Sequence, residues 1–182
     1  MSIKDDFNED EWYLLSSAPA MIGAAMSSAA ASGMIGTVKE MTASMRSTVG
    51  ALQDYPDSEL IQALLKKAEN WDDAKTKMKD YRERAKDKLA EGNIKSREEL
   101  HQLAMDDCKK AVALVDAKCS SDDALAYKEW ALKIANNVAA AASEGGFLGF
   151  GGEKISPEEA KMLAQIEGIL GIKGASPYSL ST

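Results

Sequence analysis

A chain of 182 residues with 45% apolar and 28% charged residues has the composition of one ordinary globular domain, which excludes disordered and fibrous classes. Two cysteines exclude a disulfide scaffold, and a single histidine excludes every mechanism that needs two. A net charge of −7 argues against nucleic acid as the partner, because neutralising phosphates takes a surplus of Lys and Arg.

The N-terminal stretch Met1–Glu11 is acidic, unlike a secretory signal with its basic start and apolar run. Asn8-Glu9-Asp10-Glu11 reads as a capping box that opens the first helix, with Pro19 expected to kink or break it. From Trp12 to Val38 no side chain is charged. This is long enough to cross a bilayer, but Ala, Ser, Gly and Met dominate it. The expectation is a buried helical segment in which Ala20, Gly23, Ala24, Ser27, Ser28 and Ala31 let neighbouring backbones approach closely. A turn near Ser32-Gly33 should lead to a second helix through Val38, Met41, Met45 and Val49, closed at Asp54-Tyr55-Pro56-Asp57.

Residues 57–90 contain no Gly and no Pro. Leu60, Leu64, Lys67, Trp71, Ala74, Met78, Tyr81, Ala85 and Lys88 step alternately by four and three, the spacing of a helix–helix seam. They form one long helix or a pair joined near Asn70-Trp71-Asp72-Asp73. Ser96-Arg97-Glu98-Glu99 is a second capping box, opening a helix through Leu100, Leu103, Ala104, Ala111, Val112 and Val115. Ser120-Ser121-Asp122-Asp123 caps the next, with Tyr127, Trp130, Ile134, Val138 and Ala141 on one stripe. Ser156-Pro157-Glu158-Glu159 starts the last helix, through Leu163, Ile166 and Leu170, which ends at Gly171 or Gly174. No stretch alternates as a strand would. The predicted fold is all-α: a single-domain bundle of six or seven helices over residues 1–173, followed by a flexible tail at 174–182.

Candidate chemistry is sparse. Glu98 and His101 have the Glu-x-x-His spacing of di-iron bundles, but a second copy of the motif needs a second histidine, so the pair stands as a candidate metal site without a full ligand set. Cys108 and Cys119 lie too far apart along a continuous helix to share a metal or a disulfide; they read as core thiols of a reducing, cytoplasmic compartment. The run Gly145-Gly146-Phe147-Leu148-Gly149-Phe150-Gly151-Gly152 lacks the ending of a phosphate loop. It reads as an apolar plug, with Gly149, Phe150, Gly151 and Gly152 as the alternative anion or partner loop. Lys66–Arg97 carries eleven of the 22 basic residues and seven acids, so it is locally +4 while the rest is −11, a dipolar arrangement suited to pairing with copies of itself or with an acidic partner.

Trp130, the Glu11-Trp12 pair and the stretch from Glu144 to Glu159 resemble a group of small prokaryotic all-helical proteins that share a Gly-Gly-Phe-Leu-Gly-Phe-Gly-Gly loop. The resemblance spans most of the chain and implies the fold but no activity. Gly152-Glu153-Lys154-Ile155-Ser156-Pro157-Glu158-Glu159 is also similar to the turn that introduces a helix in TerB-type tellurite-resistance domains; there an Asp precedes the turn glycine, where this chain has Gly151, so no functional residue carries over.

The sequence therefore predicts a non-enzymatic cytoplasmic protein, without cofactor, that works by self-association or by binding another protein. The alternatives are stress-related metal or anion binding through Glu98/His101 or the glycine loop, and membrane-surface association through residues 12–38.

Overall fold

Two reciprocal caps decide how the bundle begins. Ser2 caps a short 3-10 helix, Ile3–Asp6, and Asn8 then caps α1, Glu9–Ala29. The Asn8 side chain accepts from the Glu11 amide while Glu11 accepts from the Asn8 amide, both at 2.9 Å, the reciprocal box expected from sequence. The computed structural model describes residues 2–29, 43–44, 46–47, 50–66, 76, 79–80, 83–84, 86–88, 90–143 and 155–172. Its remaining helices are α2 (Glu59–Leu64), α3 (Arg97–Lys118), α4 (Ser121–Ser143) and α5 (Pro157–Leu170). The described residues of 43–54 and 76–91 are also helical, and no strand occurs among the described residues. The architecture is an all-α bundle.

Each long helix starts where the sequence places a cap. Ser96 and Ser156 form capping boxes with Glu99 and Glu159, and Pro157 occupies the first turn of α5, where its missing N–H costs nothing. Gly171 ends α5 in the left-handed region at φ 71°, a conformation that side chains with a Cβ resist. The 57–90 stretch is interrupted early: α2 closes with Leu65 as C-cap, and Lys66 is not helical. The four-and-three seam therefore does not run unbroken from Leu60 to Lys88. Residues 30–42, the glycine loop at 144–154 and the tail at 174–182 lie outside the described residues.

Pro19 does not break α1, which runs through it to Ala29; of the kink or break expected from sequence, the break does not occur. A proline inside a helix removes the donor to the carbonyl four residues back, here Leu15. Tyr127 of α4 supplies the missing donor: its phenol donates to the Leu15 carbonyl oxygen at 2.9 Å, fully buried. Around the proline, Ser16 and Ser17 hydroxyls donate to the Trp12 and Leu14 carbonyls. The donor that α1 lacks at Pro19 thus comes from a neighbouring helix.

The contacts fix helix directions. Lys118, at the end of α3, donates to both Glu11 carboxylate oxygens (2.8 and 2.7 Å) and to the Asp6 carbonyl, while His101, at its start, meets Ser28 at the end of α1; α1 and α3 are antiparallel. Leu15 pairs with Tyr127 and Gly23 packs on Ile134, so α1 and α4 run parallel. Helix α5 rests on α1, α3 and α4, and α2 on α4 and the 3-10 helix. The core is built from Leu15, Ile22, Met26, Leu60, Ile61, Val115, Tyr127, Trp130, Ile134, Val138, Leu163, Ile166 and Leu170, all essentially inaccessible. Tyr127 and Trp130 meet edge to face at 5.8 Å.

Within the charge-free first segment, Gly23 is where close approach is required. A Cβ there would lie 2.8 Å from Ser44 Oγ and 3.2 Å from an Ile134 methyl, so the missing side chain sets the spacing of two helices against α1. Ala20 and Ala24, expected to share that role, are exposed instead. No described helix is long and apolar enough to cross a membrane.

Candidate functional site

The two residues singled out for metal binding come from the first turns of α3. Glu98 is exposed. His101 faces α1, where its Nε2 lies 2.7 Å from Ser28 Oγ. The Ser28 hydroxyl donates to the Ala25 carbonyl at 2.9 Å. With that proton committed, Ser28 offers His101 a lone pair, which suits the tautomer that carries its hydrogen on Nε2. Burial holds the His101 pKa below its ordinary value, reinforced by the Arg97 charge; Glu98 and the Ala25 carbonyl act in the opposite direction without reversing it. Among the described residues no group of three His, Cys, Asp or Glu side chains converges to hold a metal ion.

Both cysteines are free. Burial pushes the Cys108 thiol up to about 12, with the Asp107 charge adding to it, and the Cys119 thiol up to about 11, with Asp123, Asp6 and Asp116 adding to it. Neither is a thiolate near neutral pH, so neither is primed as a nucleophile.

Gly149, Phe150, Gly151 and Gly152 lie outside the described residues. The helix start that was to complete an anion site with them is the first turn of α5. There Glu159, buried at 4% exposure, accepts from the Ser156 amide and hydroxyl, both at 2.8 Å. The chain's own carboxylate serves this terminus, and its charge adds to the cost of bringing another anion there.

A different region holds a buried polar hub. Asp123, in the first turn of α4, is buried. Its Oδ1 accepts from the Ser58 hydroxyl at 2.6 Å and from the Leu60 amide at 3.1 Å, while Oδ2 accepts from the Ser120 hydroxyl at 2.9 Å. Ser58 in turn accepts from the Ile61 amide. One carboxylate thus caps α2 across the bundle and braces the cap of its own helix. Burial pushes its pKa up, but the hydrogen bonds from Ser58, Leu60, Ser120 and Glu59 outweigh that and hold it below the ordinary aspartate value. Ser58 and Ser120 were visible as helix starts; the bond between the two caps has no local signature, because 65 residues separate Ser58 from Asp123.

This hub floors a cleft of about 540 Å³ lined by Asp54, Tyr55, Pro56, Asp57, Ser58, Glu59, Ser120, Asp122, Asp123 and Ala126. Five of those residues are acidic and none is basic. Asp54 is partly offset by Lys133 at 2.7 Å, whereas Asp57, Glu59 and Asp122 are exposed. Burial pushes the Tyr55 phenol up to about 12, and the negative charges of Glu129 and Asp54 act in the same direction. Leu125, one turn along α4 from Asp122, is 49% exposed, the one large apolar side chain so exposed among the described residues.

A second, smaller cleft of about 270 Å³ opens beside the start of α1 and is lined by Lys4, Phe7, Asn8, Glu9, Trp12, Tyr13, Asp80 and Arg84. The Lys4 ammonium lies 5.8 Å above the Trp12 ring and the Arg84 guanidinium 5.4 Å above Tyr13.

No protein-family model matches this all-α bundle, and neither a curated protein nor a solved structure matches it at a significant level.

The Asp123 hub gives a direct expectation. A depressed folded-state pKa contributes stability that is complete above the unfolded value of about 4 and is lost as pH falls through the folded value. Asp123→Asn keeps the Oδ1 acceptor but cannot titrate, so the wild-type loss of unfolding free energy below about pH 4 becomes shallower. Asp123→Ala removes both caps' acceptor and costs about 2 kcal/mol at pH 7. Urea melts of the three proteins at pH 7 and pH 3 measure both effects; parallel pH profiles for wild type and Asp123→Asn would contradict the hub.

Proposed function

We propose that this chain is a non-enzymatic, protein-binding helical module, which recognises a basic and partly apolar segment of another polypeptide. The carrying observation is the cleft between residues 54–59 and the start of α4: acidic, rigidly braced by the Asp123 hub, walled by Tyr55, Pro56 and Ala126, and flanked by exposed Leu125. A concave surface of one sign attracts the opposite charge over distance and orients it on arrival, while the apolar wall and Leu125 give an approaching helix somewhere to bury a side chain. Four other polar side chains among the described residues hold helices together: Tyr127 to Leu15, His101 to Ser28, Lys118 to Glu11 and Lys88 to Asp107. That distribution favours recognition over catalysis.

A fluorescein-labelled amphipathic peptide of lysine and leucine tests the reading, with a glutamate–leucine peptide as control. Anisotropy should report binding of the basic peptide with a Kd on the order of 10 μM at low salt, weakening at least tenfold in the Asp57→Lys/Asp122→Lys variant. The control should not bind. Equal affinity of wild type and variant, or no binding at all, defeats the proposal. Light scattering on the free protein settles whether a second copy fills the cleft: a dimer that the same two substitutions dissolve would replace the foreign segment by the chain itself.

A further inference from the structure

We propose that the cleft beside the start of α1 is a binding site for an aromatic monocarboxylate. It shares no lining residue with the acidic cleft, so the inference stands apart from the protein-binding reading. Its walls are aromatic: Phe7 and Trp12 approach at 5.9 Å with their planes tilted by 50°, and Tyr13 follows on the next position of α1. Such walls favour a flat ring, which stacks or meets them edge-on.

The charges at the mouth select what the ring must carry. Lys4 is exposed, and its ammonium rests over Trp12 with no carboxylate within 4 Å among the described residues. Arg84 does face carboxylates, but Glu9 and Asp10 stand off at 3.4 and 3.5 Å, and their side chains are 91% and 98% exposed. Pairs this long and this solvated contribute little, whereas a ligand carboxylate can meet a guanidinium bidentately at about 2.8 Å. Glu9 and Asp80 on the rim limit the negative charge the site tolerates. Among the described residues, one ammonium without a carboxylate partner, one weakly engaged guanidinium and two rim carboxylates suit a single negative charge better than a phosphate dianion. The volume of about 270 Å³ is near the lower end for small-ligand pockets, enough for one or two fused rings.

Isothermal titration with 2-naphthoate, 2-naphthamide and the tripeptide Gly-Gly-Phe decides the matter. Expected are a Kd below about 1 mM for 2-naphthoate, at least tenfold weaker binding of the isosteric amide, and at least tenfold loss with Lys4→Gln, whose target is a charge-assisted contact at an exposed position. A circular dichroism melt of Lys4→Gln checks that the fold is intact. Tighter binding of Gly-Gly-Phe than of 2-naphthoate assigns the carboxylate to a chain end and keeps the chemistry; the reverse assigns it to a free acid. Amide binding equal to the acid, affinity unaffected by Lys4→Gln, or no heat from either carboxylate at 5 mM overturns the proposal.

Discussion

Replacing Lys88 with methionine should lower the unfolding free energy by about 3–5 kcal/mol, the cost typical of leaving a buried charge without its partner. Asp107 lies on the inner face of α3 and is 1% exposed. Lys88 Nζ stands 2.5 Å from its Oδ2, and Oδ2 has no other hydrogen-bond partner among the described residues. The two side chains are not equivalent. Lys88 is 26% exposed and can swing its ammonium to water on a flexible stem; Asp107 has no route out. Asp107→Asn should therefore cost less than Lys88→Met, and Lys88→Met combined with Asp107→Leu should recover most of the loss, because an apolar pair of similar volume replaces the ion pair without a desolvation penalty. Urea denaturation followed by circular dichroism, with m-values compared, measures all three. A Lys88→Met variant within 1 kcal/mol of wild type would mean that water reaches Asp107.

That pair also marks the boundary of what the sequence could convey. Lys88 closed the four-and-three series that began at Leu60, and the structure does turn it inward, towards Asp107. Asp107 sits between Ala104, Cys108 and Ala111 on the buried stripe of α3, so a carboxylate on an apolar face was readable, and it demanded a cation from somewhere. Which cation was not readable, because ion pairs between helices leave no trace in local periodicity. The same division runs through the rest of the chain. Caps at Asn8, Ser96, Ser120 and Ser156, the stripes of α4 and α5, and the stop at Gly171 are written within one or two turns of sequence, and each holds. The close approach at Gly23 was legible as a small residue, but its neighbours Ala20 and Ala24 face outward, since composition does not fix the azimuth of contact.

The acidic cleft illustrates the harder case. Asp54-Tyr55-Pro56-Asp57 and Ser120-Ser121-Asp122-Asp123 each read as turn chemistry, correctly. Their meeting depends on α2 folding back onto α4, and a site built from two turns becomes a site only when both ends of a long loop closure are known. His101 is the converse case: its rarity singled it out in the sequence, whereas its contact with Ser28 of α1 has no local signature.

The second large expectation concerns Pro19 and Tyr127 taken together. Tyr127→Phe leaves the Leu15 carbonyl buried with neither a helical donor nor the phenol, a loss of about 1–3 kcal/mol with almost no change in packing volume. In a Pro19→Ala background the amide of residue 19 is restored and can donate to Leu15 along the helix, as in any uninterrupted turn. Tyr127→Phe should then cost much less, while the phenol loses its designated acceptor and becomes the group in need of a partner. The two substitutions are therefore coupled through one oxygen atom, and a double-mutant cycle should return an interaction of at least 1 kcal/mol between residues 108 positions apart in the chain. Thermal and urea melts of wild type, both single variants and the double variant measure it. Strict additivity would show that α1 satisfies Leu15 without help from α4, and that the helix crosses its proline on local terms alone.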